Sequence, residues 1–210
     1  MIFKYSCFIS YSSGQRELIQ QFVEELEEAL NAEIELWIKQ YPVFLDRTRL
    51  QSGDIINTGI ASALCYSISM VAVLTPAYYK QPNCLREYTA MESLEKDRFE
   101  KMNWPVNSPV GLIFPIVLRN PDRIPDAIKK YRQCLDFSTY MLSPAKILEN
   151  TKFAEDIQKI AERIYDYFEN FDESRIDFCE DCESFELPPE KEVPILRKRF
   201  RPPPKPFPFR

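Results

Sequence analysis

A nearly continuous apolar segment, Ile68–Leu74, in which Ser69 is the one polar residue, constrains the fold of this chain more than any other feature of its sequence. A strand with one face in water alternates apolar and polar residues, whereas a strand covered on both faces is apolar throughout. The segment therefore predicts a central strand with helices on both sides of its sheet. It lies within a stretch without charged residues, Ile55–Tyr79, but polar residues and Pro76 interrupt this stretch, so we expect no membrane span.

Other apolar segments alternate with helical patterns over the first 170 residues. Further strands are predicted at Tyr5–Ser10, Val43–Leu45, Val110–Phe114 and Cys134–Phe137, with Pro115 near the end of its strand. Helices are predicted over Leu18–Leu30, Ile55–Leu64, Pro82–Phe99 and, after Ser143, up to Phe168. This alternation predicts an α/β domain of the flavodoxin-like type, a five-stranded parallel sheet with helices on both faces.

The composition changes at about residue 171. Glu169–Glu192 contains ten acidic residues, Arg197–Arg210 contains six basic residues, and eight prolines lie between Pro188 and Pro208. Such a sequence favours a disordered tail, acidic and then basic and proline-rich, over residues 171–210, after a domain of residues 1–170. The basic end could be a solvated arm, or it could dock a sensor or another partner protein.

The composition also excludes several classes of function. The chain has no histidine, which removes Ser-His-Asp and Cys-His nucleophiles and histidine zinc sites. Its four glycines form no phosphate-binding loop. The net charge of −5 argues against a nucleic-acid partner. Any catalysis must therefore use carboxylates, hydroxyls, thiols or basic side chains.

Six cysteines are present. Cys7, Cys65 and Cys134 lie in or beside apolar segments, and the N-terminal residues lack a signal-peptide pattern, so we expect a reducing, cytoplasmic location. Cys179 and Cys182 have zinc-ribbon spacing without a second ligand pair. We therefore predict no metal site and free tail cysteines, with a zinc ion shared between two chains as the alternative.

Three segments resemble the TIR domain family, in the right order and at the right spacing, over roughly residues 1–170. The first is Phe8–Ser12, which ends the first strand. The second is Val43–Asp46, which Arg49–Asp54 follows. The third runs from Val71 to Tyr79 and continues into Cys84–Glu87.

Some members of this family are adaptors, and others cleave NAD⁺ at the nicotinamide–ribose bond. The resemblance implies that Glu87, three residues after Cys84, is the catalytic glutamate. It also implies NAD⁺ as substrate without a cofactor, TIR–TIR self-association and an assembly-activated role in prokaryotic immune defence. The implied substrate-binding residues are Ser10, Tyr11, Ser12, Asp46, Arg49, Ile55 and Cys84.

Three alternatives stay open at this point. Asn83 stands where many relatives have tryptophan, which favours a non-catalytic adaptor that acts by homotypic association. A receiver domain of similar fold would need an acidic pair after the first strand, where Ser10–Ser12 stand instead. Glu87 could also form a solvated ion pair with Arg86 and have no catalytic role.

Overall fold

The computed structural model describes residues 3–12, 17–46, 57–104, 111–121, 124–140 and 147–193. The strands are β1 (Tyr5–Ser10), β2 (Val43–Leu45), β3 (Ser67–Leu74), β4 (Ile113–Val117) and β5 (Leu135–Asp136). The helices are α1 (Glu17–Glu35), α2 (Asn57–Cys65), α3 (Pro82–Lys101), α4 (Asp126–Lys129) and α5 (Thr151–Ser174). No helix among these residues is long and apolar enough to cross a membrane.

The five strands form one parallel sheet in the order β2-β1-β3-β4-β5. All eight residues of β3 are buried, as the apolar segment predicts. Connections between parallel strands are right-handed, which places α1 on one face and α2 and α3 on the other. Helix α5 packs against α1. The predicted fold class, a flavodoxin-like parallel sheet covered on both faces, is confirmed.

The predicted bounds of the fourth strand were wrong, because Pro115 lies in the middle of β4 and pairs in register with Ala72. In a parallel sheet, the backbone groups of alternate residues form hydrogen bonds with the strands on opposite sides. The amide of Leu118 donates to β3, at Leu74, while the carbonyl of Val117 accepts from Phe137 beyond β5. The nitrogen of Pro115 therefore faces the β5 side. Pairing with β5 begins only at Ile116, so the proline breaks no ladder bond.

Helices α1 and α5 cover one face of the sheet, and their apolar periodicity predicts their buried residues with different success. Helix α5 starts at Thr151, where the Asn150 side chain accepts hydrogen bonds from the amides of Lys152 and Phe153, a standard N-cap. Its apolar stripe is buried as predicted. In α1 the stripe is buried from Phe22 onward, but Leu18, in the first turn, is 56% exposed. The short helix α4 has too few residues to show a period.

The described part of the predicted tail is packed against the domain. Helix α5 runs past residue 170 to Ser174, and Phe178, Leu187 and Val193 are buried in the core. Cys182 forms a disulfide with Cys65, so the prediction of free tail cysteines was wrong for Cys182, although Cys179 keeps a free thiol. A pairing across 117 residues leaves no local pattern that could reveal it. Residues 194–210 lie outside the described residues, and the division of the chain at residue 170 stays a prediction.

Candidate functional site

The strand order creates a switch point between β1 and β3. The chain leaves β1 towards β2 on one side of the sheet and leaves β3 towards β4 on the other side. The crevice beyond the carboxyl ends of two such strands is where open α/β sheets bind ligands. Ser10 ends β1, Leu74 ends β3, and the first turns of α3 lie beside them. A ligand site is therefore expected at this edge of the sheet.

A chain of three hydrogen-bonded side chains crosses the switch point. The Ser10 hydroxyl donates to Oε2 of Glu87 at 2.7 Å, so the end of β1 holds the carboxylate of α3. The Tyr78 hydroxyl lies 2.9 Å from Ser10 Oγ and 3.2 Å from the carbonyl of Cys84. Ser10 donates its single hydroxyl hydrogen to Glu87, so it accepts in its contact with Tyr78, and the single Tyr78 hydrogen is divided between Ser10 Oγ and the carbonyl of Cys84. The resulting relay runs from Tyr78 through Ser10 to the carboxylate.

The phenol at the start of this relay stays protonated. Burial is the largest cause that raises the pKa of Tyr78 well above its usual value, and the nearby acidic groups of Cys84 and Glu87 raise it further. A neutral phenol has one hydrogen to donate. The Tyr78 side chain therefore stays a neutral hydrogen-bond donor across the physiological pH range and adds no charge to the cluster.

Backbone contacts fix the remaining predicted residues around this relay. The Cys84 thiol donates to the carbonyl of Tyr11 at 3.3 Å, which ties α3 to the residue after β1. The Tyr11 hydroxyl donates to the carbonyl of Asp46 at 3.2 Å, which ties that residue to the end of β2. Ser12 is 2% exposed, and its hydroxyl has no hydrogen-bond partner among the described residues. Three strand ends and one helix thus meet at a polar cluster.

The site is closed in this structure. Glu87 and Ser10 are both 0% exposed, and Asp46 is 7% exposed. A solvated ion pair between Glu87 and Arg86 is absent, because Arg86 donates instead to the carbonyls of Leu187 and Pro188. Burial of a carboxylate is costly unless donors compensate for lost water, and such sites often serve a function. A substrate can contact Glu87 only after some part of this cluster moves.

The structure thus gathers six of the eight predicted site residues at one edge: Ser10, Tyr11, Ser12, Asp46, Cys84 and Glu87. The other two, Arg49 and Ile55, lie outside the described residues. Tyr78 was not predicted as a site residue. It lies in the polar segment after β3, at the strand end where ligand-binding residues are expected, and that position was the available signal.

A scan against protein-family models matches residues 7–148 to the TIR domain. The match begins within β1 and ends in the segment before α5, so it contains most of β1, the other four strands and the polar cluster. A search of curated proteins finds no match. The family model covers well over half of the sequence, and the order of strands and helices agrees with the resemblance read from the motifs. The chain therefore belongs to the TIR domain family.

Proposed function

We propose that this chain is a TIR-domain NAD⁺ nucleosidase that cleaves the nicotinamide–ribose bond. The observation that carries the proposal is the buried carboxylate of Glu87, held by Ser10 at the switch point of the sheet. The TIR family includes members that cleave NAD⁺. The match to their catalytic position comes from the spacing of Cys84 and Glu87.

The chemistry explains why one carboxylate is enough. Hydrolysis of an ordinary glycoside needs one carboxyl group to protonate the leaving oxygen and a second for the nucleophile. In NAD⁺ the nicotinamide is already a cation, so it takes the electron pair of the broken bond and leaves neutral. No acid is required, which suits a chain without histidine.

The work left to the enzyme is to stabilise positive charge on the ribose. As the bond to nicotinamide breaks, the sugar becomes an oxocarbenium-like cation, and a fixed carboxylate beside it lowers the barrier electrostatically. In our proposal Glu87 provides this charge and accepts hydrogen bonds from the ribose hydroxyls. Ser10 and Tyr78 hold the carboxylate in one orientation, so little reorganisation is needed during the reaction. Attack by water, which loses a proton, yields ADP-ribose, and attack from within the same molecule yields a cyclic product.

The other predicted residues complete the proposed pocket. Ser10, Tyr11 and Ser12 line its floor, and Asp46 meets the ribose or the diphosphate. The roles of Arg49 at the diphosphate and Ile55 against the nicotinamide rest on the family resemblance alone. We propose that TIR–TIR assembly, rather than the isolated chain, opens the closed cluster, as a lid does in other enzymes. The same resemblance leads us to propose a cytoplasmic effector of prokaryotic immune defence.

Two observations favour a second candidate, a non-catalytic TIR adaptor that acts by homotypic association. Glu87 has no exposed surface in this structure. Asn83 lacks the aromatic ring with which many enzymatic relatives cover the nicotinamide. An adaptor would retain the Glu87–Ser10 contact only as a structural bond between β1 and α3.

An incubation with NAD⁺ separates the two candidates. Purified full-length chain is incubated with NAD⁺ in the presence of dithiothreitol at two protein concentrations a hundredfold apart, and the products are resolved by chromatography. The nucleosidase proposal predicts stoichiometric nicotinamide and ADP-ribose or its cyclic form, with a higher specific activity at the higher concentration. Assembly detected by light scattering without release of nicotinamide would instead support the adaptor.

A further inference from the structure

The described residues after α5 form a strap over the α2–α3 face of the domain, and we call residues 176–193 the C-terminal strap. Arg175, the residue before the strap, has a φ of 56° and turns the chain out of α5. Phe178 packs between Phe3 and Phe171, at ring-centroid distances of 6.2 and 4.9 Å. Glu183 then accepts hydrogen bonds from Lys4 at 3.0 Å and from Tyr66 at 2.7 Å. The strap is therefore attached along its length.

The far end of the strap contacts the first turns of α3. Nε of Arg86 donates to the carbonyl of Pro188 at 2.7 Å, and its terminal nitrogen donates to that of Leu187 at 3.3 Å. The neighbouring residue, Glu87, is bonded from the opposite side by Ser10. The beginning of α3 is thus held between the end of β1 and the strap. These contacts hold the first turns of α3 in the position in which Glu87 is buried.

A disulfide and a free cysteine three residues from one of its members lie where the strap crosses the end of α2. The Cys65–Cys182 disulfide is the covalent attachment, and both of its residues are buried. Cys179 is a buried free thiol one turn before Cys182, whose amide donates to the Cys179 carbonyl at 3.1 Å. A turn of this kind brings the two Cα atoms close enough for a disulfide between Cys179 and Cys182 as well.

A buried cation contacts the backbone at Cys65 and acts electrostatically on Cys179. The Arg98 guanidinium donates to the carbonyls of Cys65, Ser67 and Ile68 and forms no ion pair among the described residues. Burial raises the pKa of the Cys179 thiol to about 11, and the charge of Arg98 acts in the opposite direction by favouring the thiolate. A thiolate is the form that attacks a disulfide.

We propose that Cys65, Cys179 and Cys182 form a thiol–disulfide exchange site that fastens the strap and so controls access to Glu87. In the exchange, the Cys179 thiolate attacks Sγ of Cys182. The Cys179–Cys182 bond forms, the Cys65–Cys182 bond breaks, and Cys65 leaves as a thiolate that takes up the proton Cys179 lost. No net electrons are transferred. A dithiol reductant then converts the new disulfide to two thiols and is itself oxidised to a disulfide.

The function of the exchange follows from the position of Arg86. Once Cys182 is no longer bound to α2, the strap keeps only noncovalent contacts, and its hold on the first turns of α3 weakens. The fastened form, in which Glu87 is fully buried, is the inactive form. The released form admits substrate. This regulation rests on the proposed NAD⁺ cleavage, whereas the release of the strap does not.

The first test uses full-length protein, dithiothreitol as the dithiol and two readouts that do not involve NAD⁺. Alkylation and mass spectrometry should find Cys65 and Cys182 protected before reduction and labelled afterwards. Hydrogen exchange of the amides of residues 84–88 should become at least fivefold faster upon reduction. Cys179→Ser should slow reduction about tenfold, while Cys134→Ser, which removes a half-buried thiol elsewhere, should leave its rate unchanged. Absence of the Cys65–Cys182 disulfide would overturn the proposal. Hydrogen exchange in α3 that is equally fast in the oxidised and the reduced protein would overturn it as well.

A second variant tests the proposal without changing a cysteine, so misfolding of a cysteine variant does not affect its result. Arg86→Ala removes the contact of the strap with α3 and leaves all cysteines in place, so the oxidised variant should show the fast exchange of the reduced wild type. NAD⁺ cleavage should rise severalfold on reduction of the wild type and be high in oxidised Arg86→Ala. Redox-dependent exchange without cleavage in any state would support the strap and contradict the nucleosidase. Cleavage that is equal in both redox states would contradict the proposed control while leaving the nucleosidase intact.

Discussion

Removal of the Cys65–Cys182 disulfide should destabilise the whole domain and not only its C-terminal strap. The bond closes a loop across 117 residues, which joins the end of α2 to the chain beyond α5. The chain-entropy model gives about 5 kcal/mol for a loop of this length, and measured losses are usually about 2–5 kcal/mol. We expect the Cys182→Ala variant to lose about 3 kcal/mol, because the contacts of the strap with the domain, from Phe178 to Phe171 and from Pro188 to Arg86, remain available.

Thermal unfolding measures this loss. A change of 1 kcal/mol shifts the Tm of a domain of this size by about 2–4 °C, so the variant should melt about 6–12 °C below the oxidised wild type. Reductant should lower the Tm of the wild type by a similar amount and leave that of Cys182→Ala unchanged. Because both cysteines form the same bond, the Cys65→Ala/Cys182→Ala double variant should lose little more stability than either single variant.

The control is Cys134→Ala, which changes a thiol outside the disulfide. It should melt within a few degrees of the wild type and keep the full response to reductant. A shift below 2 °C for Cys182→Ala under oxidising conditions would refute the reasoning. Equal responses to reductant in Cys182→Ala and the wild type would refute it as well.

Three further predictions follow from individual side chains. Arg98→Met should lower the free energy of unfolding by about 3 kcal/mol in denaturant titrations, because three buried carbonyls lose their donor, and an effect below 1 kcal/mol would contradict this. Ser10→Ala should lower kcat for NAD⁺ cleavage about tenfold or more, since a hydrogen bond to a charged group contributes about 1.5–3 kcal/mol, whereas Ser69→Ala, which removes a buried serine hydroxyl elsewhere in the sheet, should not. Burial raises the pKa of Cys7 to about 12, so the folded state keeps a proton that the unfolded chain loses near pH 9, and stability falls as the pH rises from about 9 towards 12. Between pH 8 and 10 the free energy of unfolding of the wild type should therefore fall by on the order of 1 kcal/mol more than that of Cys7→Ala. Equal decreases in the two proteins would contradict the raised pKa of Cys7.

The arrangement of the sheet could be predicted because its signals are local. The apolar run of β3 and the short strands β1 and β2 are visible in consecutive residues, and their alternation with helices determines the topology. The predicted bounds of β4 were wrong because the effect of Pro115 depends on where β5 begins to pair with β4, and tertiary structure determines that position. Local sequence could not provide that information.

The same distinction applies to the site and to the C-terminal strap. Ser10 and Glu87 could be assigned to one edge of the sheet because each follows a predicted strand, but the contribution of Tyr78 depends on a hydroxyl distance that only coordinates give. The strap was missed for a stronger reason. Phe178, Leu187 and Val193 are isolated apolar residues in an acidic segment, and the disulfide partner of the nearby Cys182 lies far away in the sequence.

The most direct test of the central claim compares NAD⁺ cleavage by wild type, Glu87→Gln and Glu100→Gln, each assayed at high protein concentration in the reduced state. Glu87→Gln keeps the size of the side chain and its capacity to accept the Ser10 hydrogen bond, but it removes the charge that stabilises the ribose cation. Glu100→Gln removes an exposed carboxylate from the same helix. We predict that Glu87→Gln loses 10²-fold or more of kcat at an unchanged Tm, on the order expected when electrostatic stabilisation of the transition state is removed. Glu100→Gln should retain wild-type activity. Nicotinamide release by Glu87→Gln within a few fold of the wild type would contradict the account.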